Sequence, residues 1–221
     1  MSDAPSRADV RETYETIGSH FSKTREYAWP EVESFVEDRC RGGVALDVGC
    51  GNGRHAELLA DCADHVVGLD ASRELLAAAR DRLAACPATT LLQSDAATLP
   101  LADDCADLAV YVATIHHLPR RTDRRDSLDE LARVLAPDGR ALVSAWSTAH
   151  NRFDASADAE RGFDTTVDWT LPGGRTVPRF YHIYAPTEFE RDVAASDLAL
   201  ELLEISSGNC YAVVRPEGKR P

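Results

Sequence analysis

The sequence predicts an α/β fold: a doubly wound, seven-stranded, mostly parallel sheet of the Rossmann-like kind, with extra N-terminal helices and a hairpin insertion. Three observations carry this expectation. Residues 44–48 are apolar and lead directly into glycines at positions 49, 51 and 53, followed by an apolar helical stretch over 55–60. Strand, glycine-rich turn and helix start together form a ligand-binding unit, because glycine lets the backbone turn tightly and approach a ligand closely. About seven short apolar runs alternate with helical segments, which implies one doubly wound sheet. Residues 108–113 are continuously apolar, as expected of a central parallel strand covered on both faces.

The elements follow in order. Residues 9–22 read as a helix, with Val10, Tyr14, Ile17 and Phe21 at three- and four-residue spacings. Tyr14 and Phe21 are read as core residues of that helix. An irregular link over 23–28 precedes a second helix that begins at Trp29-Pro30, with proline in its first turn and Val32, Phe35 and Val36 inward. Arg41-Gly42-Gly43 ends it before the first strand. Residues 65–70 form a second strand, and Ser72 caps the next helix, whose inward face is Leu75, Leu76, Ala79 and Leu83. Residues 89–95 form a third strand and 107–115 a fourth, ending at His116-His117. A helix over about 122–135 follows. Pro137-Asp138-Gly139 then turns the chain into a fifth strand over 140–146. Residues 147–164 are polar and read as a loop or short helix. Residues 167–171 and 177–184 flank Pro172-Gly173-Gly174-Arg175 as a hairpin. A helix capped by Thr187 and strands over 198–205 and 209–214 complete a single domain over 1–221, with no repeat and no linker.

Composition narrows the function. The chain of 221 residues carries a formal net charge of -13, and only two of its basic residues, Lys23 and Lys219, are lysine. Abundant aspartate and scarce lysine look like adaptation to a salty cytoplasm. Acidity lowers the expectation of nucleic-acid binding. In molar salt, however, the Debye length falls to about 3 Å and long-range attraction is weak for any protein. The polar N-terminus and the lack of a long apolar run predict a cytoplasmic protein that does not meet a membrane. The six cysteines form no Cys-x-x-Cys pair, so buried free thiols are expected rather than zinc or disulfides.

The glycine loop points to a specific ligand class. A dinucleotide fingerprint would place its third glycine where Arg54 stands. Asp47 before the loop suits a ligand carrying positive charge, such as S-adenosylmethionine. Gly49, Gly51 and Gly53 are its expected loop contacts. Asp70, about twenty residues on, stands where a ribose-binding carboxylate belongs. Asp95 ends the third strand and can accept from an adenine amino group, with Ala96 beside it. A plain α/β domain with strand-end aspartates acting as helix caps is the rival explanation.

Several strings outside the loop are more distinctive: residues 20–25 with Trp29-Pro30, residues 113–118, residues 134–143 with Trp146, residues 179–184 and residues 209–213. Together they resemble the tRNA wobble-uridine carboxymethyl methyltransferases, a branch of the class I S-adenosylmethionine-dependent methyltransferases, over residues 10–213. The resemblance implies methyl-ester formation on a carboxymethyl group of the wobble uridine in the tRNA anticodon loop. It also implies a small zinc-containing activator subunit, expected at the edge strand near Thr89 to Ser94. The chain itself is expected to hold no metal, since adjacent histidines are poorly spaced for one. A carboxylate acceptor needs orientation rather than a strong base, and arginine is its natural bidentate partner. Arg25 is the first candidate, with a surface ion pair to Glu26 or Glu31 as the rival. Either His116 or His117 can face substrate or cofactor. Arg179, Tyr181 and His182 are candidates for the acceptor pocket, with strand alternation setting His182 apart from the other two. The basic run Arg120, Arg121, Arg124 and Arg125 reads as an RNA-phosphate site or as a helix face paired with Asp123 and Asp126. A small-molecule methyltransferase acting on a carboxylic acid or quinone precursor, and a cofactor-binding scaffold without activity, are the competing functions.

Overall fold

The computed structural model describes residues 5–155 and 159–218. Two helices lead in: α1 (Arg7–Ser22) and α2 (Pro30–Arg39). Ser6 caps α1 in a reciprocal box with Asp9, and Pro30 occupies the first turn of α2. The alternating part follows as β1 (Val44–Val48), α3 (Arg54–Ala60), β2 (His65–Asp70), α4 (Arg73–Arg82), β3 (Thr89–Gln93), β4 (Ala106–Val112), α5 (Arg121–Val134) and β5 (Leu135–Trp146). A separate antiparallel hairpin, β6 (Phe163–Thr170) and β7 (Thr176–Ile183), precedes α6 (Pro186–Ala194), β8 (Leu198–Ser206) and β9 (Asn209–Pro216).

The large sheet has seven strands in the order β3-β2-β1-β4-β5-β9-β8. The first five are parallel, and β9 and β8 add antiparallel at the far side. Strand order reverses between β1 and β4. That is the topological switch point, where the crevice outside the strand carboxyl ends receives ligands. Both faces of the sheet are covered. On one side α2, α3 and α4 bury Val32, Phe35, Ala56, Leu59, Ala79 and Leu83 against Ala45, Leu108 and Val110. On the other, Leu128 and Leu131 of α5 and Phe189 and Val193 of α6 pack on Leu46, Val48, Ala109 and Tyr111. Double coverage explains why β4 is apolar without alternation.

Two local readings of the sequence need correction. The Pro137-Asp138-Gly139 string does not separate α5 from β5. Pairing with β4 already begins at Ala106 with Leu135, slips, and resumes at Leu108 with Arg140. The turn-forming residues are thus a bulge inside one long strand, which absorbs extra residues by local unpairing. The expectation of free thiols fails for one pair: Cys40 and Cys62 are disulfide-bonded. Cys40 ends α2 and Cys62 follows α3, so the fold brings together two helix ends that are 22 residues apart in the chain. Spacing in the sequence carries no signal for such a pair. Cys50, Cys86, Cys105 and Cys210 are free, the first and last buried. Among the described residues no helix is long and apolar enough to cross a membrane.

The cross-link closes a loop whose entropy in the unfolded chain is worth about 3 kcal/mol. The double variant C40S/C62S is therefore expected to melt roughly 6–12 °C lower, on the usual scaling for a chain of this size. Adding reductant to the wild type should reproduce most of that drop and leave the double variant unmoved. Melting points that agree with and without reductant would show that the bond contributes nothing.

Candidate functional site

At the switch point the chain leaves β1 through glycines with positive φ, 73° at Gly49 and 79° at Gly53. A Cβ at Gly49 would collide with the Thr114 side chain, so the loop after β1 and the end of β4 close on each other only because no side chain intervenes. Gly53 starts α3. A Cβ there would lie 3.1 Å from Leu83 and 3.2 Å from Ala79, so this glycine serves the packing of α3 on α4. A cavity opens above. Its walls include Gly49, Gly51, Asp70, Asp95, Ala96, Arg25, His116 and Tyr181, and also Tyr14 and Phe21 of α1, Asn52 and Trp146.

The carboxylates take three different positions. Asp70 ends β2 with one oxygen accepting from Gly51 N–H at 2.8 Å and the other from Ser72 N–H at 2.8 Å. Burial raises its pKa to about 6 against those bonds. Each oxygen keeps a second lone pair for a ligand hydroxyl. Asp95 is paired with Arg7 of α1 at 2.9 Å and accepts from Ala97 N–H at 3.0 Å. Asp47 lies behind the cavity wall. It is 1% exposed, both carboxylate oxygens lack a hydrogen-bond partner, and burial lifts its pKa to about 7. Asp47, Gly53, Arg179 and His182 are thus the expected site residues that do not reach the cavity surface. β1 alternation explains Asp47: Leu46 and Val48 face α5, which turns Ala45 and Asp47 toward α3.

Sequence reading missed Asn52. Its side-chain amide donates to the carbonyls of Ser22 at 3.0 Å and Arg25 at 2.8 Å, fastening the link between α1 and α2 to the glycine loop. Arg82 binds the Arg25 carbonyl as well, at 3.1 Å. The backbone under Arg25 is therefore fixed. Its guanidinium lies over the Phe21 ring at 4.5 Å, and among the described residues it has no carboxylate partner. The ion pair with Glu26 or Glu31 does not form. Partial burial lowers its pKa, the cost of holding a cation away from water.

Arg179 sits deeper, at 5% exposure. It donates to the Tyr181 hydroxyl at 2.6 Å and stacks over Trp169 at 4.9 Å. It too has no carboxylate partner among the described residues, and its Nε has no acceptor. Arg179 and Tyr181 share one strand face, and His182 turns the other way to Asp164 at 2.7 Å. Tyr181 stacks on Trp146 with ring centroids 4.7 Å apart.

The two histidines occupy a 3-10 turn after Ala113, whose φ of 53° is unusual for a residue other than glycine. His116 is buried and His117 half-buried, both against the cavity. His117 Nδ1 lies 2.9 Å from the Phe180 carbonyl, which can only accept, so Nδ1 carries the proton. Its Nε2 then accepts from the Tyr14 hydroxyl at 2.8 Å. His116 Nδ1 accepts from Trp146 N–H at 2.9 Å, which leaves its proton on Nε2. Burial pushes His116 well below its ordinary pKa and His117 to about 3. Neither imidazole has a free lone pair with which to take a proton. Tyr14 and Phe21, expected as helix core, instead line the cavity, because the inward face of α1 meets the crevice rather than the sheet.

The basic run at the start of α5 is neutralised. Arg120 chelates Asp123 at 2.7 and 3.0 Å, and Arg121 and Arg125 both bind the buried Asp192 of α6 at 2.9 Å. Arg124 is 3% exposed and donates to the carbonyls of Leu118 and Pro119. The paired reading holds, with Asp192 rather than Asp126 as the second partner.

With this geometry in place, comparison with known proteins is informative. Residues 46–143 match the family model described as a methyltransferase domain. That match and the strand order together give the chain a methyltransferase-like domain of class I fold. A tRNA (carboxymethyluridine(34)-5-O)-methyltransferase of Arabidopsis thaliana is 36% identical over 138 residues, 62% of this chain and 32% of that protein. The Saccharomyces cerevisiae protein of the same name is 31% identical over 170 residues, 77% of this chain and 59% of the relative. The chain thus spans about a third to three-fifths of the length of those relatives. Among solved structures, a DhpI-SAM-HEP complex superposes with a TM-score of 0.72 at 20% identity, over 95% of this chain and 97% of that one. A methyltransferase solved with the Haloferax volcanii Trm112 methyltransferase activator superposes with a TM-score of 0.67 at 14% identity, over 92% of this chain and 97% of that one.

The hydrogen-bond directions make a spectroscopic prediction. Nitrogen-detected NMR should show His117 as the Nδ1–H tautomer and His116 as Nε2–H, with neither ring titrating as pH falls from about 8 to 5. A midpoint near the free-histidine value for either ring would refute the assignment.

Proposed function

We propose that this methyltransferase forms a methyl ester on the carboxymethyl group of a tRNA wobble uridine. One observation carries the acceptor class. Arg25 at the cavity wall and Arg179 behind it, bonded to the wall residue Tyr181, are two guanidiniums, one half-buried and one buried, with no carboxylate partner among the described residues. An unpaired buried cation costs several kcal/mol, so such a site favours an anionic occupant. The named relatives supply the second support, since they act on carboxymethyluridine at position 34 of tRNA.

The residues fit the methyl donor. Asp70 offers free lone pairs beside the loop, Asp95 and Ala96 stand at the adenine end, and Gly49 and Gly51 let the backbone approach. When bound, S-adenosylmethionine supplies an activated sulfonium methyl. The chain then has little to do beyond positioning. Arg25 holds one oxygen of the acceptor carboxylate so that the other faces the methyl group. Arg179 acts through Tyr181, whose hydroxyl it orients toward the same space. His116 and His117 are neutral hydrogen-bonding groups with engaged lone pairs. The acceptor must therefore arrive already ionised, as a carboxylate does at neutral pH.

A small zinc-containing activator is part of the proposal. β3 is the edge of the sheet, its five residues carry no charge, and Leu91 and Leu92 are half-buried. An uncharged, unpaired edge invites a partner strand. The solved neighbour bound to an activator has the same fold. Stoichiometric recovery of a small zinc protein with the chain from its native cell is the expected result; its absence would remove this part.

Two further outcomes test the reaction. In single-turnover methylation of carboxymethyl-uridine tRNA, R25A should lose at least a hundredfold in rate while cofactor affinity stays within about twofold. The wild-type rate should be nearly flat across neutrality. A rate climbing steeply through the histidine range, with R25A fully active, would sink ester formation. Titration calorimetry addresses Asp70: D70A should weaken cofactor binding at least tenfold, the usual scale for a charge-assisted bond. Wild-type affinity should fall as pH drops below about 6, because the protonated carboxyl loses acceptor capacity.

A further inference from the structure

An open groove of about 820 Å³ runs beside the cofactor cavity, at the carboxyl ends of β2 and β3 under the start of α1. Its walls bring together Arg7, Arg11, Arg73 and Arg120 against only Asp95 and Asp123. For a chain of net charge -13, that is a local reversal of sign.

The two carboxylates are already matched. Arg7 pairs with Asp95 at 2.9 Å and reaches Asp123 at 3.7 Å; Arg120 chelates Asp123. Arg11 and Arg73 are left over. Arg11 is exposed and makes no side-chain hydrogen bond or ion pair among the described residues. Glu15, one helical turn further along α1, does not neutralise it, because both its oxygens bind the N–H groups of Arg73 and Glu74 at the start of α4. Arg73 is exposed and donates through Nε to the neutral Gln93 at 2.9 Å, which fixes the side chain and leaves both terminal nitrogens available. Arg7, Arg11, Asp95 and Ser94 line both the groove and the cavity, so the two spaces adjoin.

We propose that this groove binds the phosphate backbone of the RNA substrate, with Arg11 and Arg73 as the contacting residues and Arg7 and Arg120 as the paired frame around them. The inference rests on the tRNA reading above and assigns it a binding surface. Arginine matches the planar, bidentate demand of a phosphate. Contact-range pairing also survives screening that abolishes long-range steering. The basic run of α5 is unavailable for this role, since its arginines bind Asp123, Asp192 and backbone carbonyls.

The test measures anisotropy of a labelled anticodon stem-loop RNA against salt, for the wild type and R11E/R73E. R11Q/R73Q replaces the reversal variant if the latter fails to fold, and R11K/R73K serves as the partial rescue. The reversal variant should bind at least tenfold more weakly. Its plot of log Kd against log salt should be shallower by about one to two units, two phosphate contacts at roughly 0.7–0.9 each. Unchanged affinity and slope in R11E/R73E, with wild-type binding intact, would overturn the groove and leave the tRNA reading standing. Failure of the wild type with its activator to bind any tRNA would overturn the reading itself. Weakened binding with an unchanged slope would also reject the groove, since it would show that no phosphate contact was lost.

Discussion

The site depends on one carboxylate. Asp70 binds Gly51 N–H with one oxygen and Ser72 N–H with the other. It thereby ties the glycine loop of β1 to the turn between β2 and α4. Three elements of the switch point share that anchor, and each supplies wall to the cavity. The bonds favour the ionised form and burial opposes it, with a balance at about pH 6. Asn52, next in the loop, carries the constraint outward to Ser22 and Arg25. The position of the arginine proposed to hold the acceptor is therefore set by the same turn that makes room for the cofactor.

Charge is distributed in this site by an unusual rule. Arg25 and Arg179 have no carboxylate partner among the described residues, and burial holds the His116 and His117 imidazoles neutral. The histidines cost the fold stability in acid. His55 and His117 have pKa values depressed to about 3, so between there and the free value of about 6.5 the unfolded chain binds protons that the folded chain refuses. Stability falls as pH drops through that window. Asp47 and Asp70, raised to about 7 and 6, act in the opposite sense, because the folded carboxyls take protons first. The two sets partly cancel over mildly acidic pH.

Much of this was legible in the sequence, and for identifiable reasons. A buried parallel strand reads as an unbroken apolar run, and glycine where the backbone turns with positive φ has no easy substitute, so β1, β4 and the loop between β1 and α3 are legible in the sequence. Strand alternation also separated Arg179 and Tyr181 from His182. What could not be read was proximity between segments distant in the chain. Cys40 and Cys62 meet because two helices end side by side. The bulge at 136–139 exists because β4 pairs with Leu135 before the turn-forming residues arrive. Tyr14 and Phe21 follow helical periodicity faithfully, yet that pattern states only that a face is covered. It does not say whether sheet or ligand covers it.

The arginines show why local clustering misleads. Four within six residues at the start of α5 made the densest basic run in the chain, and the fold neutralises them with Asp123, with Asp192 from α6, and with carbonyls of their own turn. The groove that keeps free positive charge takes one arginine each from α1 and α4, more than sixty residues apart by their numbers, and neither stands in a basic run. In an acidic chain each arginine is surrounded in sequence by potential partners, so sequence density of charge says little about net local field. What decides is whether geometry delivers a carboxylate within about 4 Å. At Arg11 the natural helical partner, Glu15, is diverted to cap α4. Helix capping in one element thus leaves a cation unpaired in another, and a capping preference that is purely structural becomes the origin of a binding surface.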